Sequence, residues 1–338
     1  MNQLAKLPKV ELHLHLDCSL SYEVVSKIDS AVTEAIYRED FISQSKCIDL
    51  ADFLRRAVKG FALMQTKEQL QLVVHDLFKQ MAVDNMLYAE IRFAPLQHLE
   101  KGLTAYEVVA ATEEATADAI KQTGIEARLI LCTLRHFTED QSMETVKLAE
   151  RFKGSCVAGF DIAGNEAGFP VSNHIQAFKY AKEKGIPCTA HAGEAKGAES
   201  VWETLKHFGP SRIGHGVRSI EDEKLVDHLC KNNIHLELCP TCNVLINIYD
   251  DYKDHSIDNL YKAGVSLSVN TDNRTITNIG LNKEYEKLQT IFGWTIKDFY
   301  TCNVNALEAA FIPIELKAKL LDKLSAAYNV VESDSLLT

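Results

Sequence analysis

No stretch of the 338-residue chain approaches the run of about 20 apolar residues that a membrane-spanning helix needs. The opening residues, MNQLAKLPKVELH, carry neither an apolar core segment nor a small-residue cleavage site, so secretion is not expected. No Pro/Gly/Ser-rich linker and no low-complexity run interrupts the sequence, which therefore reads as one domain over residues 1–338. Positive charge is in deficit: 36 Lys and Arg stand against 47 Asp and Glu, for a net charge of -11. That balance disfavours a nucleic-acid backbone or an acidic membrane surface as partner, and it barely bears on a neutral small molecule. A disulfide framework is not expected either. The nine cysteines are odd in number and lie mostly inside apolar runs, as reduced thiols of a cytoplasmic protein do.

What the chain does contain is a recurring pair, a short β-rich apolar run followed by an amphipathic helix. The runs are VELHLHLD (10–17), LYAEIRFAP (87–95), EARLILCTL (126–134), CVAGFDIAG (156–164), PCTAHAGE (187–194), RIGHG (212–216), HLELCPTCN (235–243) and VSLSVNTD (265–272). One helix opens on a capping-box pattern at Thr104 and Glu107 and stops at Gly124; another opens at Thr138 and Gln141 and stops at Gly154. Helical patterns also fit 172–184, 198–208, 220–231 and 255–263. Strands alternating with helices at this spacing form parallel βαβ units, and eight of them predict an α/β fold, a closed (β/α)₈ TIM-type barrel. Residues 18–86 are too many for one crossover, and their helical patterns at 49–64 and 67–82 predict a cap over the barrel mouth. The stretch 277–330 reads as two or three further helices at the C-terminus.

In such a barrel the carboxyl ends of the strands converge on one mouth. The first strand ends in His13, His15 and Asp17, the fourth in Asp161 and Gly164, the fifth in His191 and Glu194, the sixth in His215 and the eighth in Asp272, while the strand middles read as apolar. His13, His15, His191 and Asp272 are a donor set that suits zinc, with room for water. A simpler reading stays open for each residue alone, His13 as a hydrogen-bonded core histidine and Asp272 as a helix cap. The Cys-Pro-Thr-Cys of HLELCPTC echoes the zinc-binding motif of nucleobase deaminases, but its proline is misplaced and its His and Cys are too close, so it is expected to be an ordinary seventh strand.

PKVELHLHLD, FDIAGNE, TAHAGE, RIGHG, LCPTCN and SVNTDNR, taken together and in order over about residues 8–310, resemble the adenosine deaminases of the metal-dependent amidohydrolase superfamily. The resemblance implies one Zn²⁺ per chain on His13, His15, His191 and Asp272. It implies Glu194 as the acid that protonates purine N1, with His215 and Asp272 acting on the attacking water. It places His15 and Asp17 at the ribose, the Gly164 N–H at N3 and Asn273 at N7. The implied substrate is a small purine nucleoside, adenosine or 2′-deoxyadenosine; adenine and N6-modified nucleosides or nucleotides are alternatives, and a two-metal barrel hydrolase or a non-catalytic binder is further off.

Two residues depart from the family pattern. Cys18 stands where many relatives have glycine, and Asn273 where they often have aspartate. An amide donates a hydrogen bond at any pH, so Asn273 preserves the contact expected of it. Cys18 would narrow the ribose end or pack sideways. Phe53, Leu54 and Phe61 are candidates for an apolar lid, or equally for the buried stripe of an amphipathic helix. No basic loop offers an obvious phosphate site, although Arg38, Arg55, Arg56, Arg135 and Arg218 are available.

Overall fold

The eight expected strands are all present in the computed structural model, which describes residues 3–335. They are β1 (Lys9–His15), β2 (Met86–Phe93), β3 (Glu126–Leu134), β4 (Val157–Ala163), β5 (His191–Ala192), β6 (Arg212–His215), β7 (His235–Leu238) and β8 (Leu267–Val269). Neighbours pair in parallel, in the orders β1-β2-β3-β4 and β5-β6-β7-β8. Single parallel bridges join the two sheets at both seams, Phe160 to Cys188 and Leu14 to Asp272. There Thr189 N–H donates to the Phe160 carbonyl (3.1 Å) and His15 N–H to the Asp272 carbonyl (2.9 Å).

Local chemistry sets the helices. Thr104 and Glu107 form a reciprocal capping box on Ala105–Thr123, which ends at Gly124 in the left-handed region (φ 73°). Thr138 and Gln141 do the same for Glu139–Arg151. Elsewhere the regular elements are shorter than their patterns. β5 spans two residues because Gly193 (φ 65°) turns the chain away from the ladder. The 172–184 segment opens with a 3₁₀ turn before Ile175–Glu183, and the 220–231 segment begins in the 3₁₀ helix Val217–Glu221 and turns α-helical at Glu223, capped by Asp222.

Four helices fill the long insertion: Tyr22–Ile28, Glu34–Asp40, Leu50–Ala62 and Lys67–Val83. Four follow β8, the one-turn Arg274–Thr277 and then the longer Leu281–Phe292, Ile296–Ala309 and Ile314–Ser335. Among the described residues no helix is long and apolar enough to cross a membrane. All nine cysteines are unpaired.

The barrel interior departs from expectation. The strand middles are not uniformly apolar: Glu11, Glu90, Arg92, Asp161, Arg212 and Glu237 are fully buried. Arg92 pairs with Asp161 (2.8 Å) and Glu237 (2.7 Å), and Arg212 with Glu90 (2.5 Å) and Glu237 (2.8 Å). Buried ions are tolerated only in such mutual satisfaction, and losing one partner would leave the other unpaired in a medium of low polarity. The apolar layer lies between this ring and the helices.

Candidate active site

β1 and the short β5 deliver three imidazoles, and the turn after β8 delivers a carboxylate, to one point above the charged interior. His15 Nε2 lies 3.3 Å from His191 Nε2 and 3.3 Å from Asp272 Oδ1, and His13 Nε2 lies 3.5 Å from the same oxygen. Zn–N bonds of about 2.0–2.1 Å put tetrahedral ligand atoms about 3.3–3.4 Å apart, so the spacing suits that ion. His13 Nε2 and Asp272 Oδ1 are buried and have no hydrogen-bond partner, a costly state that a shared cation would relieve. The donor set and the orphaned atoms therefore fit a divalent metal.

The outer nitrogens are held by carboxylates. Glu237 Oε2 lies 2.9 Å from His13 Nδ1, and Asp161 Oδ2 lies 3.0 Å from His191 Nδ1. Each carboxylate accepts the Nδ1 proton and leaves the Nε2 lone pair facing the centre. The Asp272 turn is pinned from behind: Thr271 donates to Glu11 through N–H (2.6 Å) and Oγ1 (2.5 Å), and Arg274 pairs with Glu11 at 2.8 Å. His215 (φ 58°) and Asp272 (φ 64°) both hold left-handed backbone that costs a non-glycine residue of order 1–3 kcal/mol.

Burial, reinforced by neighbouring cationic groups, pushes His13, His15 and His215 well below the usual imidazole range, so they are neutral. The Glu194 carboxyl is pushed well above the carboxylate range, first by burial and then by the charges of Asp272 and Glu166. A neutral acid in an apolar site is poised to donate a proton. Its Oε1 lies 3.4 Å from His215 Nε2. The loop carrying it is clamped by Glu166, whose carboxylate accepts from the N–H groups of Gly193 (2.7 Å), Glu194 (3.0 Å) and Lys196 (2.9 Å) and from Ser200 Oγ (2.5 Å).

These groups stand at the floor of a cavity of about 400 Å³. His15, Asp17, Gly164, His191, Glu194, His215, Asp272 and Asn273 line it, with His13 buried beneath. Burial raises Asp17 to about 6, and Ala94 N–H donates to it at 3.5 Å. The Asn273 amide hydrogen-bonds Asp272 as well as facing the cavity. Phe53, Leu54 and Phe61 of Leu50–Ala62 form part of the wall. Phe53 is both wall and core, since it packs with Cys18, Cys47, Cys239 and Cys242. Cys18 lines the cavity and its thiol hydrogen-bonds Asp17. Of the five arginines considered for a phosphate, Arg55 alone reaches the cavity, and Asp52 pairs it. Arg38 pairs with Glu34, Arg218 with Glu221, Arg56 donates to the Glu39 carbonyl, and buried Arg135 donates to the His191 carbonyl.

Of HLELCPTC only HLEL (His235–Leu238) is the seventh strand; against expectation the ladder stops there, and Pro240, placed at a helix start, opens the short helix Pro240–Leu245. The segment is also less ordinary than its sequence suggests. It supplies Glu237 to His13, and Cys239 Sγ lies within 4.8 Å of ligand atoms of His13, His215 and Asp272. Cys242 hydrogen-bonds Asp272. Burial pushes both thiols well above their usual range, so they remain protonated.

The family model for adenosine deaminase matches residues 8–327. Adenosine deaminase of Clostridium acetobutylicum is 39% identical over 332 residues, covering 95% of this chain and 98% of its own. Adenosine deaminase 1 of Streptomyces coelicolor is 34% identical, over 98% of this chain and 90% of its own. The crystal structure of adenine deaminase from Arthrobacter aurescens matches with a TM-score of 0.87 at 26% identity, over 95% of this chain and 98% of that one.

Proposed function

The chain belongs to the adenosine deaminase family and is a hydrolytic deaminase, and from that premise we propose that it acts on adenosine and 2′-deoxyadenosine. The C6–N bond breaks, a C6–O bond forms with oxygen from water, and ammonia leaves. His13, His15, His191 and Asp272 would hold one zinc ion per chain, which when bound would supply a strong nucleophile near neutral pH by lowering the pKa of water toward ~7. Glu194 delivers the proton to N1 as C6 becomes tetrahedral, so that the ring can accept the electron pair. His215 and Asp272 hold the attacking oxygen by hydrogen bonds. Gly164 N–H and Asn273 read N3 and N7, while Asp17 and His15 take the ribose.

The observation that carries this reading is a neutral, buried Glu194 beside four converging ligand atoms on the wall of one apolar cavity. Three groupings of ligand-type side chains occur among the described residues, and each contains His13 or Asp272, so they describe one centre and not the pair a two-metal hydrolase uses. Free adenine is the second reading, favoured by the likeness to the Arthrobacter enzyme; Asp17 at the cavity wall speaks for a sugar. The nine unpaired thiols suit the cytoplasm, where we place the enzyme.

The test follows the ultraviolet change and ammonia release on adenosine, deoxyadenosine, adenine and adenylate in parallel, with metal content measured on the same sample. Turnover of the two nucleosides with one zinc per chain is expected. Activity on none of the four, with zinc present, refutes the proposal.

A further inference from the structure

His215 ends a directed chain of hydrogen bonds that begins at a backbone amide. Ile257 N–H lies 3.0 Å from His255 Nδ1. A backbone amide can only donate, so His255 Nδ1 is the acceptor and the proton of its neutral ring sits on Nε2. His255 Nε2 lies 3.1 Å from Asn243 Oδ1, and Asn243 Nδ2 lies 3.1 Å from His215 Nδ1. Turning the amide over would set its NH₂ against the Nε2–H of His255, donor against donor, in a site without water-exposed alternatives. All three side chains are buried: Asn243 at 0%, His215 at 1% and His255 at 2% exposure. Each link therefore has one direction, and the amide donates to His215 Nδ1. Burial also pushes His255 down to about 3, which keeps its ring neutral.

We infer that this relay fixes His215 as the Nε2–H tautomer, a hydrogen-bond donor into the reaction site, and that Asn243 and His255 are the positioning residues that set it. His215 Nε2 points to Glu194 (3.4 Å) and Asp272 (3.9 Å), where the attacking oxygen must pass. A donor there stabilises charge building on that oxygen and cannot take its proton, which leaves proton removal to a carboxylate. The inference rests on the proposed deamination for its catalytic meaning, while the tautomer itself is a property of the folded chain. It also gives the LCPTCN segment a second task besides supplying Glu237.

The test labels the histidines with ¹⁵N in the zinc-loaded protein and reads which ring nitrogen of His215 is protonated, with a His215→Gln sample to assign its signals. A protonated Nε2 with a bare Nδ1 is expected. Asn243→Asp replaces the donor by an acceptor of the same shape, so the proton moves to Nδ1. Removing a preorganised donor of this kind costs about 10²–10³-fold in kcat, with KM and zinc content little changed. His255→Leu frees the amide to turn and lowers kcat about tenfold, and His255→Gln, whose amide still donates to Asn243, restores most of it. A wild-type His215 protonated on Nδ1, or an Asn243→Asp enzyme with wild-type tautomer and kcat, overturns the inference. A wild-type protein inactive on every purine fails the proposed function instead, and the spectrum still decides the tautomer.

Discussion

Replacing Glu194 by Gln tests the centre of the mechanism with the least structural disturbance. The two side chains have nearly the same shape, and Glu194 is not among the four converging ligands, so zinc should remain at one per chain. What the amide lacks is a transferable proton. Glu194 is 3% exposed and its carboxyl is held well above the carboxylate range by burial and by the neighbouring Asp272 and Glu166 charges, so the wild-type group carries that proton at neutral pH. An amide can still donate a hydrogen bond to N1, which retains ground-state binding and loses the proton transfer. General acid catalysis contributes about 10²–10⁴-fold, or about 2.7–5.4 kcal/mol of barrier. We expect kcat for adenosine to fall by that factor with KM within about threefold, in a stopped or continuous ultraviolet assay on protein of measured zinc content. Stability supplies the control. A carboxyl whose folded pKa lies above its unfolded value near 4.5 loses its proton on unfolding, so wild-type stability falls as pH rises from there toward the raised folded value. Gln has no such term, and metal-free Glu194→Gln should melt at or above metal-free wild type at neutral pH. Near-normal kcat, or an activity loss accompanied by loss of zinc or a lower melting temperature, would refute the reasoning.

Removing the metal should abolish turnover and lower Tm, since a ligand at 1,000 times its Kd adds about 4 kcal/mol and about 5–10 °C to a chain of this size. Differential scanning calorimetry before and after chelation, with recovery on added zinc, checks this; an unchanged Tm with retained activity counts against the site. Gly60→Ala strikes the helical wall of the cavity instead. A methyl group there overlaps the Asp17 carbonyl oxygen, so Leu50–Ala62 must lift off the turn that carries Asp17. Overpacking of this kind costs about 1–3 kcal/mol, and KM for adenosine should rise about fivefold or more with zinc unchanged; an unaltered KM shows that the helix does not form the substrate's wall.

The ligand candidates were legible in the sequence, and most of what orients them was not, for a reason visible in single residues. His13 and His15 stand out because polar side chains two apart at the end of an apolar strand must share a face, and the same local logic exposes His191, His215 and Asp272. The capping boxes at Thr104 and Thr138 are local too, and they mark helix starts to the residue. Glu237 carries no such mark. It lies 224 residues from His13, in the middle of a strand whose alternation reads as an ordinary half-polar pattern. Only closure of the ring, through the bridges at Leu14–Asp272 and Phe160–Cys188, turns β7 so that this carboxylate meets β1. The charged interior has the same origin, because Arg92, Asp161 and Glu237 come from three strands whose pairing no local pattern encodes. The same holds for the relay behind His215, where Asn243 follows its cysteine by one residue and His255 by thirteen, and neither has the period of a helix or strand to betray its partner. A ligand must be polar where its neighbours are apolar, and composition records that contrast. A positioning residue needs only to be opposite the right atom, and opposition is a property of the closed barrel. Cys18 belongs to the second kind, because the neighbours of its thiol, Asp17 and the core cluster around Phe53 of Leu50–Ala62, are brought to it only by the fold.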